Sequence, residues 1–338
     1  MSSQGEVRIG VLLLPQFSFA ELGLILEPLF IANWLLQRQR FQWRLLSVEG
    51  ESVIANNAMR VDAEPELPDA ETFDIIFVLA SFETKMYTGD RRAKIWLRRA
   101  ALAGVELCGI QTGTEVLAAA GVLKGHRAAI HWDNLDGFQE LYPEVDARPN
   151  LYDIDAGRMS CAGGTAVLDI MLYWLQPKLD EAMFDQMRNH MLEPRLRTGD
   201  LAQAAGGSTA ADAAHPKVRR ALDLMQRHLE EPLSTAEIAM RSGISVRQLE
   251  RRFREALQTS PSKHYMRLRM ARAQRLLQQT DLSVADVAAA SGFQSLEHFS
   301  RAYRRHHGLT PSSDRLQSAK ASTGSGDAQP NKLLGKEN

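Results

Sequence analysis

LSTAEIAMRSGI, residues Leu233–Ile244, returns 49 residues later as LSVADVAAASGF, residues Leu282–Phe293. Each copy opens on a helix-start signal. Ser234 with Glu237, and Ser283 with Asp286, place a hydroxyl and a carboxylate at the spacing that satisfies otherwise unpaired amide donors. Each short helix then ends at a glycine, Gly243 or Gly292, and a second start follows, Ser245 with Gln248 in one copy and Ser295 in the other. Helix, glycine turn, helix is the helix-turn-helix outline. Both copies run on to an aromatic, Phe253 or Tyr303, and to a proline between hydroxyls, Ser260-Pro261-Ser262 and Thr310-Pro311-Ser312. The back of the chain is therefore expected to be an all-α domain holding two such units.

The second helix of each unit has two chemically different sides. Leu249, Phe253 and Leu257 fall at i, i+4 and i+8 and should face the core, which leaves Arg247, Gln248, Arg251 and Arg254 outside. In the second copy Phe299 and Tyr303 point inward, and Glu297, His298, Arg301 and Arg305 outward. Arginine pairs with guanine, glutamine with adenine and glutamate with cytosine in the major groove. Arg252, Lys263, Arg267 and Arg304 suit phosphates, which position the protein without reading sequence, while Arg269 and Arg272 suit charge pairing along the helix between the units. Charge agrees with this division. His215–Lys320 holds nineteen Lys and Arg against ten Asp and Glu, although the whole chain carries −1. A field of that sign favours encounter with double-stranded DNA.

At 338 residues the chain is long enough for two domains. The stretch RLRTGDLAQAAGGSTAADAAHPK, Arg195–Lys217, lacks a sustained apolar face and reads as a linker over 195–216. This gives domains at 1–194 and 217–317, with 318–338 expected to be a disordered tail. In front of the linker, strand-length apolar runs (Val7–Leu14, Trp43–Val48, Asp74–Leu79, Val105–Ile110) alternate with helix-length runs (Glu21–Arg38, Gly89–Ala103, Thr112–Ala120, Thr165–Gln176). Alternation of this kind predicts an α/β domain, a mostly parallel sheet in a flavodoxin-like sandwich, with ligands at the carboxyl ends of the strands. Two cysteines, no basic-then-apolar leader and no apolar run near the roughly 18 residues that cross a bilayer point to a cytoplasmic protein without a membrane partner.

One of those carboxyl ends reads Gly109-Ile110-Gln111-Thr112-Gly113, the small-x-nucleophile-x-small pattern of a nucleophile elbow. The residue at its apex is glutamine, which cannot attack. Cys108 lies three residues earlier inside the apolar strand and Cys161 before the Gly163-Gly164 turn, so both read as core thiols.

Residues 218–315, with the linking helix around Tyr265–Leu277 and the ending GFQSLEHFSRAYRRHHGLTPS, resemble the DNA-binding domain of AraC/XylS-type transcription regulators. Residues 7–175 resemble the PfpI-like, class I glutamine amidotransferase-like domain that precedes this module in GlxA-type regulators. That resemblance is carried by IGVLLLPQFSFAEL, GIQTGTEVLAAAGVLKG, the Ile130-His131-Trp132 triplet and CAGGTAVLDIMLYWL. It implies two recognition helices in successive major grooves, an activator, a homodimer formed through the front domain, and RNA polymerase as a further partner. It also places Glu21 at the acidic position, Gln111 at the nucleophile position and His131 near the partner histidine.

With the nucleophile absent, the expected site is a receptor rather than an enzyme, without metal or cofactor. Glu21 would hold a cationic nitrogen, Gln111 and the turn at Thr112 a carboxylate, Ser81 would lie beside them, and Phe82 and Trp132 would form a wall. A zwitterionic effector of amino acid, betaine or carnitine type fits that set. The alternatives are an amide or nitrile hydrolase or hydratase using Glu21 and His131, with an appended DNA-binding domain, and a front domain that serves only as a dimerisation scaffold.

Overall fold

A computed structural model describes residues 5–50, 52–81, 88–192, 196–201, 203 and 215–324, the last seven by backbone alone. Contacts divide the chain into two units, Met1–Gln203 and Ala204–Asn338.

The front unit runs β1 (Val7–Leu13), α1 (Phe19–Leu36), β2 (Phe41–Leu46), β3 (Ser52–Ile54), β4 (Arg60–Asp62), β5 (Ile75–Ala80), α2 (Arg91–Leu102), β6 (Glu106–Gln111) and α3 (Gly113–Ala119). It continues through β7 (Arg127–Ala129), α4 (Leu135–Leu141), β8 (Asp146–Arg148), β9 (Tyr152–Asp155), β10 (Arg158–Cys161), α5 (Ala166–Leu175) and α6 (Glu181–His190). Six strands form one sheet in the order β2-β1-β5-β6-β10-β9. All neighbours are parallel except β10 and β9. The expected mostly parallel sandwich is what forms. Every residue of β5 is buried, as a strand covered on both faces requires.

Alternation along β1 divides the core. Ile9, Val11 and Leu13 pack with residues of α1, α5 and α6, whereas Leu12 and Leu14 pack on the opposite face with residues of α2, α3 and α4. Strand β2 begins at Phe41, two residues ahead of the expected Trp43. The three-residue ribbons β3–β4 and β7–β8, and the short strands β9 and β10, escape a reading by periodicity because they are too brief to show one. Helix α1 is long and apolar enough to cross a membrane by length and composition, a property that a search for uninterrupted apolar runs misses. Its Leu22, Ile25, Leu29 and Ala32 are buried in the core, which accounts for part of that apolarity, while Phe30 and Trp34 are exposed.

The elbow is built by close approach. A Cβ on Gly113 would lie 1.9 Å from the Val78 carbonyl oxygen, and one on Gly109 would lie 2.6 Å from Thr114. Glycine at both positions lets α3 start directly against β5 and β6. Gln111, between them, takes a left-handed φ of 53°.

The chain after α6 departs from the expected linker. Leu196–Leu201 and Gln203 pack on the front unit, where the Leu151 amide donates to the Gly199 carbonyl at 3.1 Å and the Gln203 amide to Pro149 O at 3.1 Å. The remainder of the linker stretch before His215 lies outside the described residues.

The back unit is helical: α7 (Pro216–Arg227), α8 (Thr235–Arg241), α9 (Val246–Leu257), α10 (Pro261–Gln279), α11 (Val284–Ala290), α12 (Leu296–His307) and α13 (Pro311–Gly324). Helix α13 passes Ser318, where the tail was expected to begin; residues 325–338 are outside the described set. Two small cores flank α10. Tyr265 joins Val218, Met225, Ile238, Leu249 and Phe253, while Met270, Ala273, Leu276 and Leu277 join Val287, Phe293, Phe299 and Tyr303.

Gly113→Ala should lower stability by about 3 kcal/mol or more, since backbone rather than a flexible side chain occupies the space of the new methyl. Chemical denaturation of the full chain checks this; a loss below about 0.5 kcal/mol would show that α3 yields easily.

Candidate nucleic-acid interface and candidate ligand site

Both helix-turn-helix starts are capped as their spacing requires. Ser234 and Glu237, Ser245 and Gln248, and Ser283 and Asp286 form reciprocal capping boxes, and the Ser295 hydroxyl accepts from the His298 amide at 3.3 Å. Gly243 and Gly292 hold left-handed φ values of 67° and 76° at the turns. Leu249 and Phe253 on α9, and Phe299 and Tyr303 on α12, are buried. Arg247, Gln248, Arg251 and Arg254 are exposed on α9; Glu297, His298, Arg301, Arg304 and Arg305 are exposed on α12, and Lys263 on α10.

Several of these side chains already have local work. The Gln248 side-chain oxygen accepts from the Ser245 amide at 3.0 Å, so the cap occupies one of that oxygen's two lone pairs. Arg251 lies 3.8 Å from Glu255 and Arg301 3.4 Å from Glu297, exposed pairs worth under about 1 kcal/mol that DNA can displace. His298 stacks edgewise on Phe293, centroids 5.6 Å apart. Arg252 is half-buried, its Nε without a hydrogen-bond partner among the described residues.

Arg269 differs from the helix-face role expected of it. Its guanidinium donates to Ser291 O at 2.9 Å and Gly292 O at 2.8 Å and lies 4.1 Å over the Phe293 ring, clamping α10 to the second turn. A Cβ on Gly292 would sit 2.5 Å from Pro232 and 2.6 Å from Leu229 O, so the two units meet at this glycine. The exposed faces of α9 and α12 are thereby held in one body, as simultaneous reading of two grooves demands.

In the front unit, the carboxyl ends of β1, β5, β6 and β10 bring Glu21, Ser81, Gln111 and the Gly163-Gly164 turn together. Ser18 caps α1 and sets Glu21 in its first turn. The Ser81 hydroxyl donates to the Gln111 side-chain oxygen. Glu21 Oε1 accepts from the Gly164 amide at 2.7 Å. A Cβ on Gly163, whose φ is 97°, would meet Glu21 Oε1 at 2.7 Å and the Gln111 side chain at 3.1 Å. Glu21 is 3% exposed, and its Oε2 is buried with no hydrogen-bond partner among the described residues. Burial pushes its carboxyl up to about 7, opposed by the Gly164 hydrogen bond. The Thr112 hydroxyl is likewise buried without a hydrogen-bond partner among the described residues.

His131 and Trp132 are half-buried, and no hydrogen bond or ring contact among the described residues joins them to Glu21 or Gln111. They stack on each other at 5.3 Å, and burial holds the imidazole below its usual range. The loop that carries them is tied to α3 by Asn134, which donates to Glu115 at 3.0 Å. Phe82 lies outside the described residues. Cys108 and Cys161 are wholly buried, and burial raises both thiols far above neutrality, as the reading of core thiols anticipates.

Two residues with structural prominence escaped the sequence reading. Arg197 pairs with Asp169 at 2.6 Å, and Gln203 makes three side-chain hydrogen bonds to the front unit. Both sit in a polar stretch of low complexity, and no local signal distinguishes them there.

A family model described as a helix-turn-helix domain matches residues 238–317. The chain is 39% identical over 304 residues to the HTH-type transcriptional regulator CdhR of Pseudomonas aeruginosa, covering 90% of each. It is 33% identical over 307 residues to the regulator GbdR of that species, covering 91% of this chain and 83% of that one. It is 31% identical over 316 residues to the regulator GlxA of Rhizobium meliloti, covering 94% and 98%. A solved AraC family transcriptional regulator from Pseudomonas putida shares the fold over 55% of this chain and 99% of its own, with TM-score 0.51 at 24% identity.

The Glu21 carboxyl yields a signed prediction. Its folded value lies above the ordinary 4.5, so its contribution to stability is fully present below about pH 4.5 and lost as pH rises through about 7. Glu21→Gln should therefore match the parent near pH 4.5 and exceed it by an amount on the order of 2–3 kcal/mol at pH 8. Denaturation of both proteins at the two pH values checks this; a constant difference would contradict it.

Proposed function

The chain belongs to the AraC-type family of helix-turn-helix transcriptional regulators and is a DNA-binding regulator; we propose that it is an activator governed by a small nitrogen-containing effector bound, without chemistry, in its front unit. The observation that carries the sensing half is Glu21. A buried carboxyl with one oxygen held by Gly164 and the other without a partner among the described residues is stabilised by any cation that reaches it. The Gln111 NH2 group and the Thr112 hydroxyl supply donors for a carboxylate on the same molecule. An amino acid, betaine or carnitine type of metabolite has both ends, and Phe82, His131 and Trp132 complete the set of residues assigned to it.

The enzyme reading is disfavoured by chemistry. An amide stands at the elbow, and neither thiol is available as a thiolate. Turnover of amides or nitriles by the purified chain, abolished by Glu21→Ala, would overturn the receptor reading.

On DNA, the assignment gives base contacts to Arg247, Gln248, Arg251, Arg254, Glu297, His298, Arg301 and Arg305. Phosphate contacts go to Arg252, Lys263 and Arg304. Effector binding shifts the population able to seat both units, and homodimerisation through the front unit doubles the reader.

Arg251→Ala should weaken a duplex selected from a random pool by about 1–3 kcal/mol while sparing random duplex. Equal loss on both, in a binding titration, would move Arg251 to the phosphates. A thermal-shift screen of nitrogenous metabolites should find one that stabilises the chain, by about 2.7 kcal/mol at a hundred times its dissociation constant. Gln111→Leu should abolish that shift. A normal shift in the variant removes Gln111 from the site.

A further inference from the structure

Residues 196–201 and 203, with which the described part of the front unit ends, are hooked to two elements that carry residues assigned to the candidate ligand site. On one side Arg197 reaches α5. Its Nη2 and Nε lie 2.6 and 2.9 Å from Asp169 Oδ2, and Nη2 lies 2.9 Å from the Thr165 hydroxyl. Thr165 directly follows the Gly163-Gly164 turn that touches Glu21 and Gln111, and Asp169 lies in the first turn of the helix that starts there. On the other side Gln203 reaches the His131–Trp132 loop. Its side-chain oxygen accepts from the Trp132 amide at 2.8 Å, and its NH2 group donates to Ile130 O at 2.7 Å and Asn150 O at 2.6 Å. A primary amide meets those three groups at once because it carries two donors beside one acceptor. A carboxylate of the same shape would oppose two carbonyl oxygens with another oxygen.

We propose that this stretch is the read-out of the site, with Arg197 and Gln203 acting as positioning residues that register movement of the Gly163-Gly164 turn and of the His131–Trp132 loop. The inference rests on the assignment of the effector to Glu21, Gln111, His131 and Trp132, and it names how occupancy there is passed on. An effector that pulls on Glu21 shifts the turn against which Arg197 is anchored, and one that displaces Trp132 strains the Gln203 amide. Either movement alters the hold on the residues from which the chain runs on toward α7, the first helix of the DNA-binding unit. Coupling of this kind needs an element with two arrangements biased by the site, and a strap secured by a few hydrogen bonds at its two ends is such an element.

Hydrogen exchange followed by mass spectrometry on the full chain tests this without any ligand. Gln203→Glu should raise exchange of the Trp132 amide about tenfold or more, because the carboxylate loses both hydrogen bonds donated to Ile130 O and Asn150 O, opposes those carbonyls and is pushed away from the loop. The decisive variants lie inside the site. Gly163→Ala forces its new methyl toward Glu21 and Gln111, and the milder Gln111→Leu removes the Ser81 partner, so folding of one suffices. Both should raise exchange of the Leu201 and Gln203 amides several-fold, although no hydrogen bond among the described residues joins either site to the strap. Strap exchange at the parental rate in both variants overturns the proposal. If the strap responds while no nitrogenous metabolite stabilises the chain, the read-out stands and the assigned occupant falls.

Discussion

The front unit depends on the absence of two side chains. With Val78 O where a Cβ of residue 113 would be, and Thr114 where one of residue 109 would be, α3 can lie closer to β5 and β6 than any other residue pair allows. That closeness forces the turn between strand and helix into a single residue, Gln111, in the left-handed region. The side chain at that position is lifted to the sheet edge whatever its identity. In a thiol enzyme the geometry presents a nucleophile; here it presents an amide whose oxygen is taken by Ser81. The strain of a non-glycine left-handed residue is kept, while the attack that usually accompanies it is chemically unavailable.

Glu21 is the complement of that loss. Beside a thiol, a buried acid can hold or take a proton. Without one, its desolvation is uncompensated, and the carboxyl retreats toward its neutral form. One backbone hydrogen bond from Gly164 relieves part of the cost and leaves Oε2 without a partner among the described residues. A group that is expensive to ionise when alone and cheap to ionise beside a cation discriminates between empty and occupied states, and that differential is what a receptor needs to shift an equilibrium. The two raised thiols make the same point, since burial has removed both from use as thiolates.

The back unit solves a different problem, holding two recognition helices in one body with two small cores. Helix α10 lends Tyr265 to one core and Met270 to Leu277 to the other. The seam is closed by polar contacts. Arg269 caps the carbonyls of the second turn, and Gly292 admits Leu229 and Pro232 of the first unit. An arginine used in this way is desolvated, and burial lowers its affinity for a proton. It is therefore withdrawn from the exposed cations available to DNA, so a charge count alone overstates the binding face.

What the sequence made legible follows from the range of the interactions involved. Capping boxes, turn glycines and the i, i+4 stripe on α9 are set within four residues, and all three were readable. The parallel sandwich was readable from alternation, and Glu21, Ser81 and Gln111 do converge at its edge. The roles of Gln248, Arg269 and Gln203 were not readable, for three different reasons. Gln248 has two uses at one position, a base contact or a cap, and the spacing that marks the cap says nothing of which prevails. Arg269 depends on a carbonyl pair 22 and 23 residues away. Gln203 lies in a stretch whose composition signals a linker, yet its amide meets groups 53 to 73 residues earlier. Composition reports how little apolar surface such a segment can bury. It is silent on hydrogen bonds to backbone groups left over by neighbouring loops, and three of those are enough to fasten a polar strap to the domain it leaves.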